Sequence, residues 1–220
     1  MKSIDTIRLR ATVGWLGLLL PWIVLILCLI YKEPEALGHF WINSISETAF
    51  YYTTITPFMI ILGSSGILLM CYRGYTWVDD LINTLTGIAA LGICLFPTFV
   101  YINDGLDGKV GTFQTPAAIS SGIHNVCAVV FFLLLSYNVL FLFTKSSGEM
   151  TRNKKIRNII YYICGGGMLL SLLMMIPVVI FDIWSGTWWV EAIALMFFGI
   201  AFLTKADIYP WLFCDSAYTD

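Results

Sequence analysis

The chain has two histidines, His39 and His124, and each lies close to hydroxyls. His39 leads into Asn43, Ser44, Ser46, Glu47 and Thr48, followed by Tyr51 and Tyr52. His124 follows Ser120 and Ser121 and precedes Asn125. Glu191 stands alone in a later apolar run. These residue types allow three kinds of chemistry. A serine beside a histidine base is the start of a nucleophile, as Ser44 or Ser46 with His124. An imidazole beside a carboxylate can form a buried pair or move a proton. A catalytic zinc site wants three protein ligands, so two histidines would need Glu47, Glu191 or Asp182 as the third. No HExxH or HxxxH spacing, Rossmann fingerprint or P-loop occurs, and no metal or cofactor is expected.

The elements that must position these groups are apolar. Of 220 residues, 59% are hydrophobic and 12% charged, about half the charge of a soluble domain, so lipid must solvate most of the surface. Crossing a bilayer takes about 20 mainly apolar residues. Six runs qualify: 11–31, 52–72, 81–101, 119–144, 158–181 and 188–209. The first follows Lys2, Arg8 and Arg10 as a signal peptide would, but its length and the lack of a small-residue cleavage site argue for a retained helix.

Positive charge orients the bundle. With the N-terminus inside, the inner segments hold ten basic residues: Lys2, Arg8, Arg10, Arg73, Lys145, Arg152, Lys154, Lys155, Arg157 and Lys205. The outer segments hold two, Lys32 and Lys109. The positive-inside rule then places both termini in the cytoplasm. The expected fold is all-α: one domain over 1–220, a polytopic membrane protein of six transmembrane helices. Tyrosine and tryptophan gather at both predicted interfaces, among them Trp41, Tyr101, Trp184, Trp188 and Trp189 outside and Tyr72, Tyr75, Trp77, Tyr209 and Trp211 inside.

Within this frame Pro21, Pro57, Pro97 and Pro177 fall inside spans and are expected to bend them. The small residues of Gly63–Gly66, Gly87/Ala90/Gly92 and Gly165–Gly167 are expected at close helix crossings. The six cysteines have no paired spacing and read as apolar packing residues, with Cys71 and Cys214 near a membrane face where palmitoylation is conceivable. The Asn103–Gly108 segment is turn chemistry. On the inner face Arg73 is expected to pair with Asp79 or Asp80 in a structural turn, and Asp80 to cap the third helix. Lys205 is expected to snorkel to the headgroups.

Ionisable groups inside a membrane are costly and hence functional candidates. His124 falls roughly 7 Å below the outer surface at 1.5 Å per residue, and Glu191 and Glu47 lie near the same level. Candidate ligand-binding residues are therefore Ser44, Ser46, Glu47, Thr48, His124, Asn125 and Glu191. They can lock the bundle as an internal hydrogen-bonded set. They can bind a lipid or small amphiphile in a polar pocket near the outer leaflet. They can serve an intramembrane hydrolase or transferase using His124 with Glu47 or Glu191. A channel or transporter is a further class, as an oligomeric pore of several copies, since midplane polarity is limited to Ser64, Ser65, Ser136 and Asn138. Expected partners are membrane lipids, not nucleic acid, and the expected location is a bacterial inner membrane.

Several short motifs carry a resemblance. They are Ser44-Ile45-Ser46-Glu47-Thr48 with Tyr51-Tyr52-Thr53, Tyr72-Arg73-Gly74-Tyr75 with Asp79-Asp80, and Gly92 to Pro97. Ile123-His124, Lys154 to Asn158, Trp189-Val190-Glu191 and Phe198-Gly199 through Lys205 follow. Together they resemble a widespread group of bacterial multi-span membrane proteins and, more distantly, the six-span family of DRAM, Sfk and FGF-receptor-activating proteins. In the latter an Ile-Ser-acid-Thr motif opens the second span and a histidine lies early in the fourth. Ser46-Glu47-Thr48 and His124 match those positions, whereas Ala49 replaces the usual glycine and Phe50-Tyr51-Tyr52 a proline-rich continuation. The resemblance implies a six-helix fold and a role in membrane lipid organisation or signalling.

Overall fold

The computed structural model describes residues 4–31, 41–50, 53–74, 76–98, 108–146, 151–183 and 185–208. Expectations about His39, Tyr51, Tyr52, Tyr75, Tyr101, the turn at 103–107, Trp184, Tyr209, Trp211 and Cys214 lie outside them. The fold is all-α. Its helices are α1 (Ile4–Ile30), α2 (Ile55–Met70), α3 (Trp77–Leu95), α4 (Ala117–Tyr137), α5 (Arg152–Ile180) and α6 (Gly186–Lys205). A 3-10 turn, Ser46–Phe50, precedes α2, and a π turn, Asn138–Leu142, continues α4.

Five of these helices are long and apolar enough to cross a membrane, and α2 is a shorter apolar helix of 16 residues. Their outward faces carry Ile60, Ile67, Ile88, Leu133, Ile163, Leu173 and Val179, all exposed. So wide an apolar exterior is untenable in water and ordinary in lipid, which makes this an integral membrane type of surface.

Each helix packs against the next in sequence, and α6 closes the ring against α1. Contacts at the two ends show that the helices alternate in direction. At one end, Arg10 at the start of α1 meets Tyr72 just past α2. There too Lys145 beyond α4 meets Asp79 at the start of α3, and Arg157 early in α5 meets Asp207 beyond α6. The opposite end gathers the finish of α3, the starts of α4 and α6, and the segment 41–50.

Two crossings depend on glycine. A Cβ on Gly87 of α3 would lie 2.3 Å from the Gly66 carbonyl oxygen of α2. A Cβ on Gly199 of α6 would lie 2.8 Å from the Gly14 carbonyl oxygen of α1. Backbones in such contact gain van der Waals attraction that lipid cannot match. This bears out the expected packing role of the Gly66 and Gly87 clusters.

The prolines divide differently from expectation. Pro21 and Pro177 are inside α1 and α5. Pro57 sits in the first turn of α2, where its missing N–H has no intrahelical partner to lose. Pro97 is not in a helix at all. The third helix runs Trp77–Leu95 rather than 81–101, and Pro97 follows its end. Beyond it, a short hairpin with strands of two residues each (β1 Lys109–Val110, β2 Thr115–Pro116) leads into α4. Its Gly111 takes φ +71° directly against Pro97.

The turn before α3 is also rearranged. Thr76, not Asp80, caps α3, in a reciprocal capping box with Asp79. Asp79 is 1% exposed and receives Lys145 Nζ at 2.7 Å. Asp80 accepts from the exposed Arg73 at 3.1 Å and from the Gly74 amide at 2.7 Å. Asp79→Ala should therefore cost about 2 kcal/mol through the lost cap and stranded donors. Arg73→Ala should cost about 0.5 kcal/mol at most, as exposed pairs do. Thermal unfolding of both variants checks this, and equal losses would contradict the assignment of Asp79 as the structural member.

Candidate functional site

The site forms at the end of the bundle where α3 stops and α4 and α6 start. Its first cause is Pro97. The last four carbonyls of any α-helix lack intrahelical partners. With Pro97 ending the run, the carbonyls of Phe96 and Pro97 point toward α4. Ser120 Oγ donates to Pro97 O at 2.8 Å, and one helical turn later His124 Nδ1 donates to Phe96 O at 2.8 Å. Thr98 and Ser121 share a hydrogen bond of 3.1 Å beside them.

That carbonyl decides the tautomer of His124. A carbonyl only accepts, so Nδ1 carries the hydrogen, and the neutral ring presents a lone pair at Nε2. Ser46 Oγ lies 2.9 Å from Nε2 and donates to it. Ser46 is also 3.4 Å from Glu191 Oε1. A hydroxyl has one proton, so the shorter contact takes it. Turned the other way, the same hydroxyl donates to Glu191 Oε1, so its proton is shared between the imidazole and the carboxylate. Glu191, Ser46, His124 and the Phe96 carbonyl thus lie along one line of hydrogen-bonding contacts.

Segment 41–50 is held in place from both ends. Glu191 Oε2 accepts the Ile45 amide at 2.6 Å. The Asn43 carbonyl accepts the Trp188 amide at 2.8 Å, and Asn43 Oδ1 accepts the Ser185 amide at 3.2 Å. Trp41 stacks on Trp189 and meets Trp188 edge to face. Ile42 and Ile45 are buried beneath. Within the segment Ser44 Oγ accepts the Glu47 amide at 3.0 Å, and Glu47 Oε2 accepts the Asn43 amide at 3.1 Å. Thr48 Oγ1 donates to Ile45 O, and its own carbonyl accepts Thr54 Oγ1, tying the segment to α2.

The expected constellation is thus partly reproduced. Ser46, His124 and Glu191 come together from three elements. Ser44, Glu47 and Thr48 build the fold of the segment that carries Ser46, and Glu47 does not reach His124 in any contact described. Asn125 is exposed on the face of α4 away from His124, because adjacent helix positions point about 100° apart. Asn43 and Ser120 stood out in the sequence beside the histidines but not among the candidate binding residues, and the roles of the Trp188 amide and the Phe96 carbonyl were not visible there. The proline two residues beyond α3 was the available signal for the last. Among the described residues, no group of three or more His, Cys, Asp and Glu is placed to hold a metal ion.

Exposure is graded across the site. His124, Thr48 and Ser120 are buried, whereas Ser46 and Glu191 keep part of their surface open. Ser46 and Glu191 thus lie nearer the open surface than the imidazole does. Compared with models of protein families, with curated proteins and with solved structures, the chain matches none of them.

Proposed function

We propose that the chain crosses a bacterial inner membrane six times, with both termini in the cytoplasm, and binds the polar head of a lipid or small amphiphile at Ser46 and Glu191 near the outer leaflet. Six crossings are supported by the alternation of helix direction. Helix α2 rises only about 24 Å against a hydrocarbon core of about 30 Å, and local thinning or the flanking turn residues would cover the difference. The orientation is supported by charge. Arg10, Arg73, Lys145, Lys154, Arg157 and Lys205 lie at the end opposite Ser46, while the outer segments include Lys109 among the described residues. Kinship with the DRAM, Sfk and FGF-receptor-activating family belongs to the same proposal and rests on Ser46-Glu47-Thr48 and His124.

The observation that carries the binding role is the partly open Ser46–Glu191 pair backed by a fully buried imidazole. A headgroup hydroxyl or amine can donate to Glu191 while an apolar tail lies along the lipid-facing helices. A second reading follows from the 2.9 Å contact and the fixed tautomer. Ser46 could attack an acyl ester, His124 Nε2 taking its proton and returning it to the leaving oxygen. Set against this, the Ile45 and Glu47 amides are already given to Glu191 and Ser44, so they are not free to receive an oxyanion.

One experiment separates the two. Purified protein is treated with a fluorophosphonate probe, and its co-purified lipids are measured, for wild type, Ser46→Ala and Glu191→Gln. Binding without turnover predicts no labelling and a specific lipid that is lost in both variants. Acyl chemistry predicts labelling of the wild type that Ser46→Ala abolishes. Neither labelling nor a variant-sensitive lipid would defeat both readings.

A further inference from the structure

At the end of the bundle opposite Ser46, the buried charges have found partners. Lys205, expected to snorkel to the surface, is 7% exposed instead. Its ammonium donates to the Phe143 carbonyl at 3.0 Å and sits 5.2 Å from the Phe143 ring centre. Asp79 takes Lys145, and Asp207 takes Arg157. Two buried amides further along the helices are less well served. Asp79, Asn83 and Thr86 fall at i, i+4 and i+7, on one buried face of α3. Asn138 is fully buried too. It opens the π turn after α4, in which the Phe143 amide bonds the Asn138 carbonyl. Asn83 Nδ2 donates to Tyr72 O at 3.4 Å, and Asn138 Nδ2 donates to Thr86 Oγ1 at 3.5 Å. Neither Asn83 Oδ1 nor Asn138 Oδ1 has a hydrogen-bond partner among the described residues.

The orientation of each amide is fixed by its neighbour. The Tyr72 carbonyl only accepts, so the amino end of Asn83 faces it. The Thr86 hydroxyl gives its hydrogen to Ile82 O at 2.7 Å, so it accepts from the amino end of Asn138. Turning either amide over would set two acceptors against each other. Two amide oxygens therefore remain, on side chains that Thr86 brings together. An acceptor buried without a donor costs the desolvation of that group. Charge argues against a cation as the donor they call for. The oxygens are neutral, and the acid on the same face, Asp79, is already paired with Lys145 at 2.7 Å. Water fits on size, on neutrality and on number, since its two hydrogens equal the two open oxygens. We propose that Asn83 and Asn138 share a bound water that donates one hydrogen to each amide oxygen and ties α3 to the π turn. Polar groups joined across helices in this way hold a bundle together where lipid supplies no hydrophobic drive.

The test uses the full chain in lipid bilayers with isotope-labelled asparagine, read by water-edited solid-state NMR. Magnetisation that starts on water should reach both side-chain amides, each assigned by its disappearance in Asn83→Leu or Asn138→Leu. Transfer to one or to neither overturns the proposal, and this readout on the wild type does not depend on how the variants fold. Thermal unfolding supplies a second readout. Each leucine variant should lower Tm by roughly 4 °C. The double variant should lose no more than the larger single loss, because both changes remove the same water. Losses that add, or a Tm that rises because an unpaired acceptor has gone, overturn the shared water. Exchanging sodium chloride for choline chloride should shift the wild type and the double variant alike. A sodium-dependent gain in Tm confined to the wild type would make the occupant a cation and overturn the proposal.

Discussion

Replacing Glu191 by leucine is expected to lower the thermal midpoint by roughly 6–12 °C, corresponding to about 3 kcal/mol for a chain of this size. The leucine removes the acceptor of the Ile45 amide and leaves that donor in a buried, apolar surrounding. It also frees the Ser46 hydroxyl from one of its two neighbours. Segment 41–50 would then keep its described ties to α6 through Asn43 and the tryptophans. Glu191→Gln keeps an acceptor oxygen of the same reach and should recover more than half of the loss. Measurement by fluorescence-monitored unfolding in detergent decides the matter. A glutamine variant as unstable as the leucine variant would show that charge, rather than the hydrogen bond to Ile45, is what Glu191 contributes.

The second large effect lies in the α2–α3 crossing. Gly87→Ala places a methyl 2.3 Å from the Gly66 carbonyl oxygen, a backbone atom that moves only if the helices part. Overpacking of this kind costs about 1–3 kcal/mol. The expected result is a reduced Tm and a larger aggregated fraction on size exclusion. Gly166→Ala in α5 is the matched comparison. Nothing lies within 4 Å of its added Cβ, so the variant should gain the roughly 1 kcal/mol by which alanine exceeds glycine in a helix. Equal behaviour of the two variants would remove the close approach as the reason for glycine at position 87.

These two predictions mark how far the sequence reached. Gly66 and Gly87 are recognisable in an apolar run, because small residues have few other uses there. Each expected apolar run also contains a helix. The boundaries moved where polar residues begin a helix or proline ends one. Helix α5 starts at Arg152 instead of 158, since a basic first turn is poor in hydropathy yet capable of helical structure. Helix α3 stops at Leu95 because Pro97 cannot continue it.

The site was legible as a level and not as a set of bonds. Hydropathy and helical rise place Ser46, His124 and Glu191 at one depth. They carry no rotational phase, so Asn125 looked as eligible as His124 although it faces away. They also omit the backbone. A pair of His124 with Glu47 or Glu191 was one of the open readings, whereas Glu191 holds the Ile45 amide and His124 takes the Phe96 carbonyl. Every residue contributes an amide and a carbonyl, so no residue type announces which of them will be free. Lys205 was misread for a related reason. Snorkelling is the solution for a lysine on a lipid-facing helix end, but α4 and α5 enclose this one and offer it a carbonyl and two rings.

By itself, then, the amino-acid sequence determined the all-α class, the helices and the segregation of positive charge to one end. Those follow from local composition, which a bilayer reads one segment at a time. Only the tertiary structure decided that Ser46 meets His124, that Glu47 serves its own turn, and that Lys154 and Lys205 both donate to the Phe143 carbonyl. Those depend on how helices rotate and approach one another, which the glycine crossings and the ends of α3 and α4 set together.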